Sequence, residues 1–302
     1  MAEKTLHVRS ISQVHELLGM PKPKHPLISL IDVSQMAIPE QYVGVKIQAE
    51  FYQVSLKDKS CGVEYGRNSF DFDEGVMVFS APRQVSTFTE TIEKGNITGW
   101  MLIFHPDLIR GTHLGDTIDD FSFFDYGVFE ALHLSDEEED TVSVVVKNIQ
   151  QEYEQRIDNH SQRVIISNLE LLLSYCLRFY ERQFNTRTAA NKDVVADFEK
   201  ELKGYFEKEL QLEHGTPSIA YFAEKAHLSQ HYFSDLLKKE TGRSAKDHIN
   251  DFLVEKAKHL LLSDNRSVSE IAYDLGFNYP HYFTRLFKSK TGVTPVSFRN
   301  LN

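Results

Sequence analysis

Cysteine is nearly absent from this 302-residue chain. Cys61 and Cys176 are the only two, far apart in sequence. That spacing excludes a zinc-type cluster or a paired redox motif, and such sparing use fits a reducing compartment, so a cytoplasmic location is expected. No run of roughly 18 apolar residues occurs, so no membrane span is expected. The opening Met-Ala-Glu-Lys-Thr-Leu-His has no apolar core of signal-peptide length. Positive charge is also in deficit: 33 Lys and Arg stand against 44 Asp and Glu, a net charge of -11. A uniformly acidic surface would repel nucleic acid.

The deficit is uneven. Residues 216–302 hold 12 basic and 9 acidic residues, a net of +3, and residues 1–215 hold 21 and 35, a net of -14. A mildly basic C-terminal part on an acidic carrier favours nucleic-acid contact through the C-terminal part alone. The excess is small, so non-specific affinity should be modest and strongly salt-dependent.

That basic part contains a tandem repeat. His231-Tyr232-Phe233-Ser234-Asp235-Leu236-Leu237-Lys238-Lys239-Glu240-Thr241-Gly242 recurs as His281-Tyr282-Phe283-Thr284-Arg285-Leu286-Phe287-Lys288-Ser289-Lys290-Thr291-Gly292. Two copies of one short helical unit suit a target that repeats. Duplex DNA is such a target, because its major groove returns to the same face every ~10 base pairs, or roughly 34 Å.

Each copy reads as two helices joined by a turn. In the second, Ile271, Ala272 and Leu275 form the buried face of a first helix. Gly276 follows where φ > 0 is needed, Phe277 plugs the angle, and Asn278 is placed to cap the next helix. Phe283, Leu286 and Phe287, at spacings of three and four, face inward. Pro280, His281, Tyr282 and Arg285 are left outward on the N-terminal part of the second helix, where a recognition helix presents side chains to base edges. In the first copy Ile219, Phe222, Ala223 and Ala226 form the first helix, Leu228 is the plug and Ser229 the cap. Phe233, Leu236 and Leu237 point inward, and Gln230, His231, Ser234 and Asp235 outward. Residues 249–261 between the copies have apolar residues at helical spacing without a breaker and predict a long joining helix.

The rest of the chain changes period twice. Short β-branched and aromatic runs at 27–31, 43–47, 51–56, 76–79 and 99–104, separated by Gly, Pro, Asn and Asp, predict strands of a sandwich or small barrel. Ser135-Asp136-Glu137-Glu138 is a capping box, opening a helix with Val142, Val146, Ile149 and Tyr153 on one side. A second helix carries Ile165, Leu169, Leu172, Cys176 and Phe179, with further apolar residues around its circumference, and must be buried on several faces. Residues 185–194, polar and aperiodic, predict a linker. Thr216-Pro217 predicts one helix start, and Ser267-Val268-Ser269-Glu270 another capping box.

The second copy, with Ile271-Ala272, Gly276-Phe277, Tyr282-Phe283, Phe287-Lys288, Thr291-Gly292, Pro295 and Phe298-Arg299, resembles the C-terminal DNA-binding domain of the AraC/XylS family of transcription regulators. The match covers roughly residues 195–302. The resemblance implies two helix-turn-helix subdomains, about 217–242 and 267–292, joined by a long helix, with both recognition helices entering successive major grooves. Carried over by position, His231, Ser234 and Asp235 of the first unit and Pro280, His281, Tyr282 and Arg285 of the second would face bases, and Lys238 and Lys288 would contact phosphates. Asp235 and Leu253 stand where the family usually has arginine. Many relatives place a β-rich, cupin-like sensing domain and dimerising helices in front, and Tyr65-Gly66-Arg67-Asn68-Ser69-Phe70-Asp71-Phe72 resembles the turn punctuation of such domains.

The expected fold is therefore α+β: a β-rich, cupin-like regulatory domain over 1–134, a helical dimerisation segment over 135–184, a linker over 185–194, and an all-α DNA-binding domain over 195–302. The expected function is a sequence-specific transcription regulator, by analogy an activator. Expected partners are double-stranded DNA, a second copy of the chain, RNA polymerase and a small-molecule effector of unassigned identity, with no membrane. Metal-binding cupins resemble a His-x-His cluster. His7, His15, His25, His105, His113 and His133 form none, so no metal or other cofactor and no enzyme activity are expected. The rival is an N-terminal enzyme or modification domain that uses the DNA module for targeting. A paired-cysteine methyl-transfer domain would need a cysteine cluster that is not there. A phosphate-accepting receiver domain would need alternating βα units.

Overall fold

The computed structural model describes residues 5–57, 75–88, 91–95, 98–127, 130–155, 158, 160–263 and 265–301. Cys61 and the turn-like stretch Tyr65–Phe72 lie outside them. The chain divides into two units, Met1–Arg187 and Thr188–Asn302.

The first unit begins with β1 (Thr5–Val8), α1 (Ile11–Leu17), β2 (Ile28–Asp32), β3 (Lys46–Ala49), β4 (Tyr52–Lys57), β5 (Val76–Ser80), β6 (Val85–Thr87) and β7 (Gly99–Phe104). Then come α2 (Pro106–Ile109), α3 (His113–Thr117), β8 (Leu132–His133), α4 (Asp136–Glu154) and α5 (Ser161–Thr186). The strands form a three-stranded sheet, ordered β1-β3-β6, and a five-stranded antiparallel sheet, ordered β2-β7-β4-β5-β8. Alternation along β2 and β7 serves two faces. Ile31, Met101 and Ile103 pack into a core with Val8, Ile11, Ile38, Ile47 and Phe51. Leu30, Asp32, Trp100 and Leu102 belong to the opposite face, in the pairings Leu30↔Leu102 and Asp32↔Trp100.

The α4 capping box forms as predicted: Ser135 Oγ accepts from Glu138 N–H, and the Glu138 carboxylate accepts from Ser135 N–H. Helix α5 packs on α4 and is stitched to the sheet edge. The buried Gln183 amide accepts from His133 N–H at 2.8 Å and donates to Ala131 O at 3.1 Å. The Arg182 guanidinium donates through Nε and Nη2 to the two oxygens of Glu138, at 3.1 and 2.7 Å. Phe79, Phe123 and Phe124 are buried and pack against one another and Tyr180.

The second unit is helical throughout: α6 (Thr188–Glu207), α7 (Leu210–His214), α8 (Ile219–Ala226), α9 (Gln230–Thr241), α10 (Ala245–Ser263), α11 (Val268–Asp274), α12 (Pro280–Thr291) and α13 (Pro295–Leu301). The stretch 185–194 is not an irregular linker. Helix runs through it on both sides of Arg187, where the chain turns, because Val194, Val195 and Phe198 give α6 an apolar face to bury. Thr216-Pro217 does not start a helix either: Ser218 caps α8 by accepting from Tyr221 N–H. One hydrophobic core runs through this unit, joining Phe198, Leu202, Phe222, Phe233, Leu237, Ile249, Leu253, Ala257, Ile271, Phe283 and Phe287. Leu253, where the resembled family usually has arginine, is 3% exposed and serves that core.

Candidate nucleic-acid interface

Each helical pair is fixed by its turn. In the first, α8 ends at His227 in the left-handed conformation, Leu228 packs on the core, and Ser229 Oγ caps α9 by accepting from Tyr232 N–H at 3.2 Å. In the second, the Ser267–Glu270 capping box opens α11. Gly276 turns the chain at φ 88°, and its carbonyl accepts from Thr216 N–H at 3.0 Å. Phe277 packs on Phe283. Tyr279, not Asn278, occupies the cap position of α12, with no side-chain cap bond, because Pro280 at the first position has no N–H and its fixed φ already starts the helix.

The joining helix α10 carries both pairs on the shared core, so the two outward faces are held by one body. On α12, His281, Tyr282, Arg285 and Lys288 are exposed and Pro280 is half-buried. No acidic residue occurs along that helix. Tyr279 and Tyr282 are 59% and 53% exposed, and their rings cluster with His281, whose ring centroid lies 4.2 Å from that of Tyr282. Large exposed rings at a helix start leave their faces open to a partner.

On α9, His231 and Lys238 are exposed and Asp235 is half-buried. Ser234 Oγ donates to Gln230 O at 2.7 Å, so the hydroxyl is engaged with its own helix. Tyr232, the counterpart of Tyr282, is 3% exposed. The two copies thus differ where they face out: α12 offers an arginine and exposed rings, α9 a carboxylate and a buried ring.

Sequence reasoning missed three residues here. Lys246 and Asn250 of α10 line a concavity of about 670 Å³ together with Phe277, Tyr282, Arg285 and Lys288. A joining-helix lysine thereby stands beside the arginine and lysine of α12, and nothing in its spacing signals this. Tyr279 stands between the candidate cap Asn278 and Pro280, and nothing in the sequence marks its ring as exposed.

Lys290, by contrast, is engaged by acidic residues of its own domain. Its Nζ donates to Asp247 Oδ1 at 2.9 Å and pairs with Asp251 Oδ1 at 3.0 Å, and Arg243 pairs with Asp251. The Lys290 ammonium beside Asp247, with the Ser244 hydroxyl bond, holds the Asp247 carboxyl down at about 2. A carboxyl depressed in the folded chain stabilises it above the unfolded value of about 4, and that contribution is lost as pH falls toward 2. Melting of Lys290→Met is therefore expected to approach that of the parent protein as pH falls from 4 toward 2, and a gap as large at pH 2 as at pH 6 would show that the pair does not act through this charge.

Residues 222–301 match the family described as "Helix-turn-helix domain". The chain is 31% identical over 151 residues to the HTH-type transcriptional regulator YfiF of Bacillus subtilis (strain 168), covering 49% of this chain and 44% of that one. It is 34% identical over 109 residues to YobQ, a regulator of the same description and organism, covering 32% and 45%. It is also 34% identical over 85 residues to the bifunctional transcriptional activator/DNA repair enzyme AdaA of that organism, covering 28% and 40%. The chain spans less than half the length of each of these relatives.

Proposed function

We propose, from the premise that the C-terminal unit is a tandem helix-turn-helix domain of the AraC/XylS type, that this chain is a sequence-specific DNA-binding regulator of transcription, acting as an activator. The observation that carries the proposal is the single core beneath two helix-turn-helix pairs, which fixes α9 and α12 on one body with their N-terminal turns outward. Such an arrangement addresses two successive turns of one groove.

The roles divide by chemistry. Arg285 reads guanine through O6 and N7, and His281 and Tyr282 contact the neighbouring bases or sugars. Pro280 sets the approach of α12. Asp235 accepts from cytosine N4 and His231 and Ser234 flank it, so α9 reads with less electrostatic help. Lys238, Lys288 and Lys246 meet phosphates. The chain works as a homodimer through α4 and α5, and Val164 and Leu171, 39% and 44% exposed and seven positions apart on one side of α5, support that role. RNA polymerase is the partner through which activation acts, and an effector held by the first unit controls DNA binding by favouring one of two states.

The relative named for both activation and DNA repair raises the alternative of an enzymatic first unit. Cys176 does not support it. It is fully buried, and burial pushes its thiol well above the ordinary range, which suits packing and not nucleophilic attack.

The test is a salt titration of full-length protein on a target duplex and on random duplex of equal length. Tighter binding to the target at every salt concentration is expected; equal affinity for both would overturn sequence specificity. Lys246→Ala is expected to weaken binding to both duplexes alike and to lower the slope of log K against log salt by about 1. An unchanged slope would remove Lys246 from the interface.

A further inference from the structure

The first unit contains a cavity of about 330 Å³ between the outer face of the five-stranded sheet and α4. Its sheet side is made by Leu30 and Asp32 of β2 and Trp100 of β7, and its helix side by Val146, Lys147 and Gln150. The location follows from the fold. Asp32 and Trp100 are paired across β2 and β7, and residues 143, 146, 147 and 150 form one stripe of α4. The same faces meet below, where Tyr153 Oη accepts from Leu30 N–H at 2.9 Å. The volume is in the range that holds a small molecule.

Among the described residues, one polar group in these walls is buried without a partner, and two opposite charges stand at the cavity's solvent-facing side with no ion pair. The indole Nε1–H of Trp100 is buried without an acceptor. A buried donor left unpaired forfeits the hydrogen bond it makes to water in the unfolded chain, so a ligand acceptor placed here would restore it. Lys147 has no ion pair. Asp32 accepts one bond, from Ser34 N–H, and makes no ion pair. Opposite charges therefore sit on the two walls of one cavity without neutralising each other, above an apolar floor of Leu30, Val146 and the Trp100 ring.

We infer that this cavity binds a small zwitterion of the amino-acid class, with its carboxylate on Lys147, its ammonium on Asp32 and a side-chain acceptor on the Trp100 indole N–H. Charge-assisted bonds at both ends orient the molecule. The unpaired indole selects for a side chain with a carbonyl or hydroxyl oxygen over a purely aliphatic one, because only the former satisfies the buried donor. The bound molecule ties the sheet to α4. This deepens the effector control proposed above and rests on it for its regulatory meaning, though not for the binding itself.

The chain supplies its own probe, since Trp100 is its only tryptophan. Full-length protein is titrated with each free L-amino acid in turn, and Trp100 emission is read. A saturable change is expected for members with an oxygen-bearing side chain, glutamine, asparagine, serine or threonine among them, and a weaker one for alanine or leucine. Lys147→Met and Asp32→Asn, the latter keeping the acceptor for Ser34 N–H, should each weaken binding tenfold or more with unchanged melting. Trp100→Phe, followed by calorimetry, should erase the preference for oxygen-bearing side chains. No emission change with any amino acid, or binding that both charge variants leave intact, would overturn the site. Saturable binding, sensitive to both variants but without effect on DNA affinity, would uphold the site and overturn the effector control.

Discussion

Arg285→Ala is expected to weaken binding to the target duplex by about 5–150-fold, the equivalent of ~1–3 kcal/mol for one bidentate arginine–guanine contact, and to relax base preference at one position. The loss should fall on the target and much less on random DNA, because a base contact carries discrimination and a phosphate contact does not. Arg285 is exposed on a helix whose inward face is Phe283 and Phe287, so helix content by circular dichroism should not change. The equivalent substitution on α9, Asp235→Ala, is expected to alter specificity less, since removing a carboxylate also removes its repulsion of phosphate. If Arg285→Ala binds the target as the parent does, the assigned register of α12 is wrong.

Gly276→Ala is expected to cost the second unit more than ~2 kcal/mol and to abolish DNA binding. Two effects add. At φ 88° an L side chain is strained, by roughly 1–2 kcal/mol. The added Cβ would also stand 2.6 Å from the Gly215 carbonyl carbon and 2.8 Å from Thr216 N. Those are backbone atoms that cannot swing aside, and Thr216 N–H is the donor to Gly276 O. Gly292→Ala is the control: φ is 81° there, but nothing lies within 4 Å of the new Cβ, so only the conformational strain remains. Helical ellipticity should melt earlier in Gly276→Ala, and Trp100 emission, a reporter of the first unit, should hold its own midpoint. A melting curve for Gly276→Ala no lower than that of Gly292→Ala would contradict the packed turn.

The turn at Gly276 was legible in the sequence, and so were the elements whose signals are local. Strand β7 lies where the run Gly99–Phe104 predicts it, and both capping boxes, at Ser135 and Ser267, close as their spacing requires. Short strands such as β1 and β8 left no signal, since their pairing depends on distant partners. The stretch 185–194 misled because polar composition hid helical segments stabilised by tertiary packing. Gln183 gave no signal in the sequence: a polar residue amid an apolar helix, it is buried because two backbone groups of the β8 edge need it. At the candidate interface the outward residues of α12 were readable by subtracting the inward stripe. Lys246 was not, because its place beside Arg285 is created by the packing of α10 on α12.

The measurement closest to the central claim is selection of genomic DNA fragments by full-length protein at two salt concentrations, followed by sequencing. Two short conserved blocks about one helical turn, ~10 base pairs, apart are expected, with the block read by α12 the stronger and both surviving at higher salt. A single block would mean that α9 does not read bases, and no enrichment at either salt would contradict a chain that carries two reading helices on one body.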